Sequence, residues 1–170
     1  MSASDARIPV ESLLTVEQVL ARYRRGPHSG VFTDGSAIPN PGQGGWGAVY
    51  VLDGEVIDRA HGYEPQTTNN RMELVALIHG YGLVPRGEPA TVYTDSQLCA
   101  NIINQWAAGW ERRGWKRKTG PIANLDLVQE LYALAKSRPE LTLRWIKAHN
   151  GARWNEYADA LATAWLREQV

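Results

Sequence analysis

The stretches VFTDGS (residues 31–36) and VYTDSQ (92–97) each run apolar residues and a threonine into an aspartate, Asp34 and Asp95. Aspartate is poor strand material, and a buried carboxylate without a partner is costly. A carboxylate repeated at the end of two strand-like runs therefore needs something that compensates its charge. Two more acids sit among core-type residues, Glu73 within NNRMELVAL and Asp159 within NEYADALATAW. Like charges brought together strongly resist joint ionisation. A divalent cation resolves that conflict, and an all-oxygen ligand set suits Mg²⁺ or Mn²⁺. Each acid alone has an ordinary reading: Asp34 and Asp95 as turn formers or N-caps, Glu73 as a solvated helix acid, Asp159 as an ion-pair partner. Spacing alone does not bring the four together.

The elements that must position these acids follow from pattern. Residues 1–27 read as a separable extension. Thr15 with Gln18 fits a capping box, and Leu13, Val16, Leu20 and Tyr23 form one apolar stripe, which predicts a short helix at about 16–25. From His28 onward a strand is expected to end near Asp34, and GSAIPNPGQGG reads as a loop. WGAVYVL and EVIDRAHGY flank Asp53-Gly54, a strong hairpin signal. TTNNRMELVALIHGYGL starts with capping residues and continues as a helix, ATVYTD is a strand, and SQLCANIINQW is a helix capped by Ser96. A basic loop follows, then a helix from about Asn124, the strand LTLRWIKAH, and the closing helix WNEYADALATAWLREQ. The order β-β-β-α-β-α-α-β-α implies an α/β fold, a mixed sheet with helices on its faces. If the strands ending at Asp34 and Asp95 are parallel neighbours, their carboxylates fall side by side at the crevice end of the sheet.

Bulk properties narrow the class. A chain of 170 residues, 44% hydrophobic and 21% charged, has the length and composition of one globular domain. Eighteen basic residues balance eighteen acidic ones, so net charge is silent about nucleic acid. The distribution is not silent: residues 106–118, WAAGWERRGWKRK, hold five basic residues, one acid and three tryptophans. Cys99 is the only cysteine, which points to a reducing compartment. No apolar run approaches the ~20 residues needed to cross a bilayer, and MSASDARIPVES lacks the order of a secretory signal. A cytoplasmic, monomeric protein without an obligate protein partner is expected.

Taken together, FTDGSAIPNPGQGGWG, TTNNRMEL, YTDSQ, GWERRGWK and WIKAHNGARWNEYADALA resemble the type 1 ribonuclease H family, bacterial type with a basic protrusion. The motifs occur in that family's order, over roughly residues 28–168. The resemblance implies a five-stranded mixed sheet, its first three strands antiparallel, with helices on both faces. It also implies endonucleolytic hydrolysis of the RNA strand of RNA–DNA hybrids by two Mg²⁺ or Mn²⁺ ions. The family's metal-binding carboxylates map onto Asp34, Glu73, Asp95 and Asp159, with Asp34 shared by both ions, and its mobile catalytic histidine maps onto His149. Glu156 is a weaker candidate, reaching the second metal through water.

Substrate recognition is carried over in the same way. Asn40, Asn69, Asn70 and Gln97 match amides that read the 2′-hydroxyl, a group that separates RNA from DNA. Thr68 matches a position that binds a DNA-strand phosphate. Trp106, Arg112, Arg113 and Lys116, with the bases that follow, match the protrusion that grips the DNA strand. Gly109 and Val128 depart from residues common in the family, asparagine and tryptophan. Two other readings remain at this point: a non-catalytic nucleic-acid-binding module on the same fold, and a related nuclease acting on DNA.

Overall fold

Alternating apolar positions in the strands sort side chains onto two sheet faces, and each face collects its own core. The computed structural model describes residues 14–167, 169 and 170. Its strands are β1 (Gly30–Ala37), β2 (Gly42–Leu52), β3 (Glu55–Thr67), β4 (Ala90–Thr94) and β5 (Leu141–Trp145), in the sheet order β3-β2-β1-β4-β5. β1 to β3 form an antiparallel meander, whereas β4 runs parallel to β1 and β5 parallel to β4. Val31, Tyr50 and Val92 point to one face, where α2 (Asn69–Leu83) and α5 (Leu125–Ser137) cover them with Leu74, Leu77, Val128 and Leu131. Phe32, Val49 and Val51 point to the other, beneath Trp154, Tyr157 and Leu161 of α6 (Arg153–Ala162) and Val16 and Val19 of α1 (Val16–Arg22).

Local signals set several of these boundaries. Asp53 and Gly54 both have positive φ, 48° and 80°, as the two-residue hairpin turn between β2 and β3 requires. Thr15 and Gln18 form the reciprocal capping box of α1, and the Thr68 hydroxyl accepts from the Arg71 amide at the start of α2. Ser96 caps α3 (Gln97–Asn101) by accepting from Cys99 N–H. Leu13, expected in the α1 stripe, lies outside the described residues.

Four expectations need correction. β1 does not stop near Asp34 but pairs with β2 as far as Ala37↔Gly44, leaving only residues 38–41 as the turn. The reason is tertiary: ladder pairing holds Gly35, Ser36 and Ala37 extended despite their weak strand preference. The basic stretch is not all loop. After a π turn at Ile102–Trp106, α4 (Ala107–Arg112) carries half of it. α1 ends at Arg22 rather than about residue 25, and α6 ends at Ala162, where the Thr163 hydroxyl donates to Asp159 O at 2.9 Å. Among the described residues, no helix is long and apolar enough to cross a membrane.

Candidate active site

The register between β1 and β4 decides where two of the acids lie. Their last parallel pair is Thr33↔Thr94, so Asp34 and Asp95 are the next residue on each strand and emerge side by side. The two preceding threonines are fully buried; Thr33 donates to Tyr93 O at 2.9 Å, tying the strands together just behind the acids. Glu73 reaches the same place because α2 lies directly on β1. A Cβ at Gly35 would fall 2.2 Å from the Met72 carbonyl carbon, so only glycine allows that approach. On the opposite face, a Cβ at Gly47 would fall 2.5 Å from Leu161 Cβ, so a second glycine lets α6 settle and bring in Asp159.

Oxygens of Asp34, Glu73 and Asp95 lie within 4.8 Å of one another. Asp159 and His149 line the same cavity, about 430 Å³, with Ser36, Asn69, Asn70 and Ser96. Burial first, then the neighbouring carboxylates of Asp95, Glu73 and Asp159, hold the Asp34 pKa well above its ordinary value. Glu73 is raised well above its own by burial and then by Asp95. Asp95 is raised by burial; hydrogen bonds with Glu73 and Asp34 and the nearby His149 oppose the rise. Asp159 Oδ2 is buried without a hydrogen-bond partner. A fourth carboxylate with a buried, unpartnered oxygen, on a residue that lines the same cavity as three acids that resist ionisation, makes a donor set suited to a hard divalent cation. The residues present fit such an ion.

His149 stands on the loop between β5 and α6, with φ 52° and its side chain 58% exposed, and its Nδ1 lies 3.9 Å from Glu156 Oε1. The amides divide. Asn69 and Asn70 line the carboxylate cavity, but Asn69 Oδ1 already accepts from Ala37 N–H at 2.7 Å, and Asn40 Oδ1 accepts from Asn69 N–H at 3.1 Å. Asn40 and Asn69 therefore stitch the β1–β2 turn to α2. The Thr68 hydroxyl oxygen is engaged as the α2 cap, and Gln97 is exposed on the first turn of α3, outside the cavity lining.

The basic stretch forms an open groove of about 870 Å³, lined by Trp106, Trp110, Arg113, Lys116, Arg117, Lys118 and Thr119. Trp106 is 40% exposed, whereas Trp110 and Trp115 pack against the core; Arg112 is exposed but does not line the groove. Sequence reasoning passed over two supporting residues. The Thr94 hydroxyl lies 3.5 Å from Glu73 Oε2 and accepts Ser96 N–H at 3.1 Å. Trp145 Nε1–H donates to Asp95 O at 3.2 Å. The Thr-Asp pair occurring in both motifs was the available signal for the first; nothing in the sequence signalled the second.

Comparison with known proteins agrees with this geometry. The RNase H family model matches residues 27–167. This chain belongs to the ribonuclease H family. As a member it is a nuclease, a hydrolase of phosphodiester bonds. It is 47% identical over 133 residues to the ribonuclease H of Herminiimonas arsenicoxydans, covering 78% of this chain and 90% of the relative. Among solved structures it is similar to LC9-RNase H1, a type 1 RNase H with the type 2 active-site motif, at 34% identity and TM-score 0.65, covering 83% of this chain and 74% of the other. It is also similar to LC11-RNase H1, solved in complex with RNA/DNA hybrid, at 25% identity and TM-score 0.57, covering 78% and 91%.

Proposed function

We propose that this ribonuclease H cuts the RNA strand of RNA–DNA hybrids internally, leaving 5′-phosphate and 3′-hydroxyl ends, with two divalent cations, Mg²⁺ or Mn²⁺. The observation that supports it most is the packing of three carboxylates within 4.8 Å beside the unpartnered Asp159 Oδ2. Asp34, central among the acids, would be a ligand common to the two ions; Glu73 and Asp95 would complete one set and Asp159 the other. When bound, the ions neutralise charge on the attacking and leaving oxygens of an in-line displacement at phosphorus.

The chain's own groups do the rest. His149, exposed on its loop, exchanges a proton with solvent or with the product on the leaving side, and the Glu156 carboxylate orients its ring. Asn70 in the cavity wall reads the 2′-hydroxyl, with Asn40, Asn69 and Gln97 around it. The groove of Trp106, Arg113 and Lys116, flanked by Arg112, holds the DNA strand, and Thr68 contacts one of its phosphates. Residues 28–170 form the catalytic domain, with residues 1–27 as an extension of it. The protein works as a cytoplasmic monomer, consistent with its single cysteine, the buried free thiol Cys99.

The test is incubation of the protein with labelled RNA–DNA hybrid, duplex DNA and single-stranded RNA, with and without Mg²⁺. Metal-dependent cleavage of the hybrid alone is expected, and Asp34→Asn should abolish it. Cleavage of duplex DNA would reassign the protein to DNA, and binding without any cleavage would reduce it to a recognition module.

A further inference from the structure

The N-terminal arm ends against the loop that carries His149. The Arg153 guanidinium donates to Leu20 O at 2.8 Å and Tyr23 O at 2.7 Å, the open end of α1. Arg153 N–H donates to Arg25 O at 2.8 Å, and Arg25 pairs with Ala152 in a parallel bridge. Gly26, at φ 97°, is pressed onto the same residue: a Cβ there would lie 2.9 Å from Ala152 Cβ. At the start of α1, Val16 N–H donates to Val170 O. The main chain of residues 16–26 is thus fixed at both ends, and this fixes where Arg25 departs from it.

The Arg25 guanidinium lies beside Gly151, its Nη2 3.2 Å from where a Cβ on that glycine would stand. Gly151 is the second residue after His149, which lines the carboxylate cavity. Arg25 is exposed, and among the described residues no carboxylate lies within ion-pair distance of it. Other arginines behave differently: Arg153 caps α1, and Arg138 caps α2 through the carbonyls of Tyr81 and Val84. Arg25 caps nothing and is placed by its main chain alone. A permanently charged, forked donor held beside the loop that carries a cavity-lining histidine is suited to a phosphodiester oxygen.

We propose that Arg25 is a substrate-binding residue that contacts a backbone phosphate of the nucleic acid on the His149 side of the carboxylates. It is a grip separate from the basic groove of residues 106–119, and it gives the arm a role in binding. The inference rests on the nucleic-acid reading above.

Arg25→Gln keeps the length and every main-chain bond of the arm while removing the charge. At about 0.1 M salt the Kd for hybrid, measured by anisotropy in Ca²⁺, should rise about 5–10-fold, and the slope of log Kd against log salt should shrink by about 0.9. The single-turnover rate at saturating enzyme should not change, and Arg25→Lys should restore the slope. Hybrids with uncharged methylphosphonate linkages in the RNA strand or in the DNA strand identify which phosphates are touched: the difference between wild type and variant should vanish for one of them. An unchanged Kd and slope, a difference that survives in both modified hybrids, or a fall in saturated rate at constant Kd would each overturn the proposal. If the wild type binds hybrid without cutting it, the proposed reaction fails, while a reduced slope in Arg25→Gln still supports the contact.

Discussion

Replacing Asp95 by asparagine should make the metal-free protein more stable while destroying its activity. Asp34, Glu73 and Asp95 place oxygens within 4.8 Å of one another. At that separation and an effective dielectric constant of about 20, each ionised pair repels by about 3 kcal/mol. The folded protein escapes part of this by holding protons: burial first raises all three pKa values, the neighbouring acids raise Asp34 and Glu73 further, and at Asp95 hydrogen bonds with Glu73 and Asp34 oppose the rise. Such groups bind protons more tightly folded than unfolded. Their contribution to stability is therefore greatest at low pH and declines as pH rises through the raised folded values. Near pH 7 in EDTA, Asp95→Asn relieves two of the three repulsions. Allowing for protonation, the expected gain is about 1–3 kcal/mol, or about 3–10 °C in Tm for a domain of this size. The gain should shrink as pH falls to about 4, where the unfolded carboxyls also protonate. Saturating Mg²⁺ should narrow or reverse the difference, because ligand binding favours the wild type. Calorimetry of both proteins in EDTA at several pH values and then in Mg²⁺ measures all of this. A lower Tm for Asp95→Asn in EDTA near pH 7 would refute the reasoning, since Asp95 would then be a structural group.

His149→Ala should lower kcat about 10²-fold or more with little change in KM, because an exposed loop histidine contributes proton transfer rather than binding; steady-state kinetics decides. Trp106→Ala should weaken hybrid binding by about 1–3 kcal/mol without altering the salt slope, and the melting temperature should hold, since the ring is substantially exposed. Gly35→Ala should destabilise by about 3 kcal/mol or more, because its Cβ would meet the Met72 and Glu73 main chain at 2.2–2.5 Å; urea titration measures it.

Much of the fold was legible because it is written in local chemistry. The Thr15–Gln18 box, the Thr68 and Ser96 caps and the Asp53-Gly54 turn each stabilise one boundary through atoms within a few residues, and each is present. The expected sheet, antiparallel in its first three strands, is the one observed. The continuation of β1 past Asp34 was not legible, because Gly35 to Ala37 owe their extension to pairing with Gly44–Trp46. Likewise α4 was hidden behind its charges: Ala107 is buried, but Arg112 and Arg113 suggest open loop. At the candidate site, the residue types pointed to a cation, but proximity depends on the Thr33↔Thr94 register and on the close approach at Gly35, both set by tertiary packing. The hydrogen bond from Asn69 N–H to Asn40 Oδ1 was equally invisible, since it spans 29 positions of sequence.

Cys99, capped into α3 four residues after Asp95, supplies a reporter already built into the chain. It is fully enclosed, and burial pushes its thiol up to about 12. Near pH 8 only about one such thiol in ten thousand is ionised, so alkylating reagents should ignore the native protein and label it only when α3 lifts away. Because no other sulfhydryl competes, the labelling rate is a clock for local opening beside the acids, and cation binding should slow it.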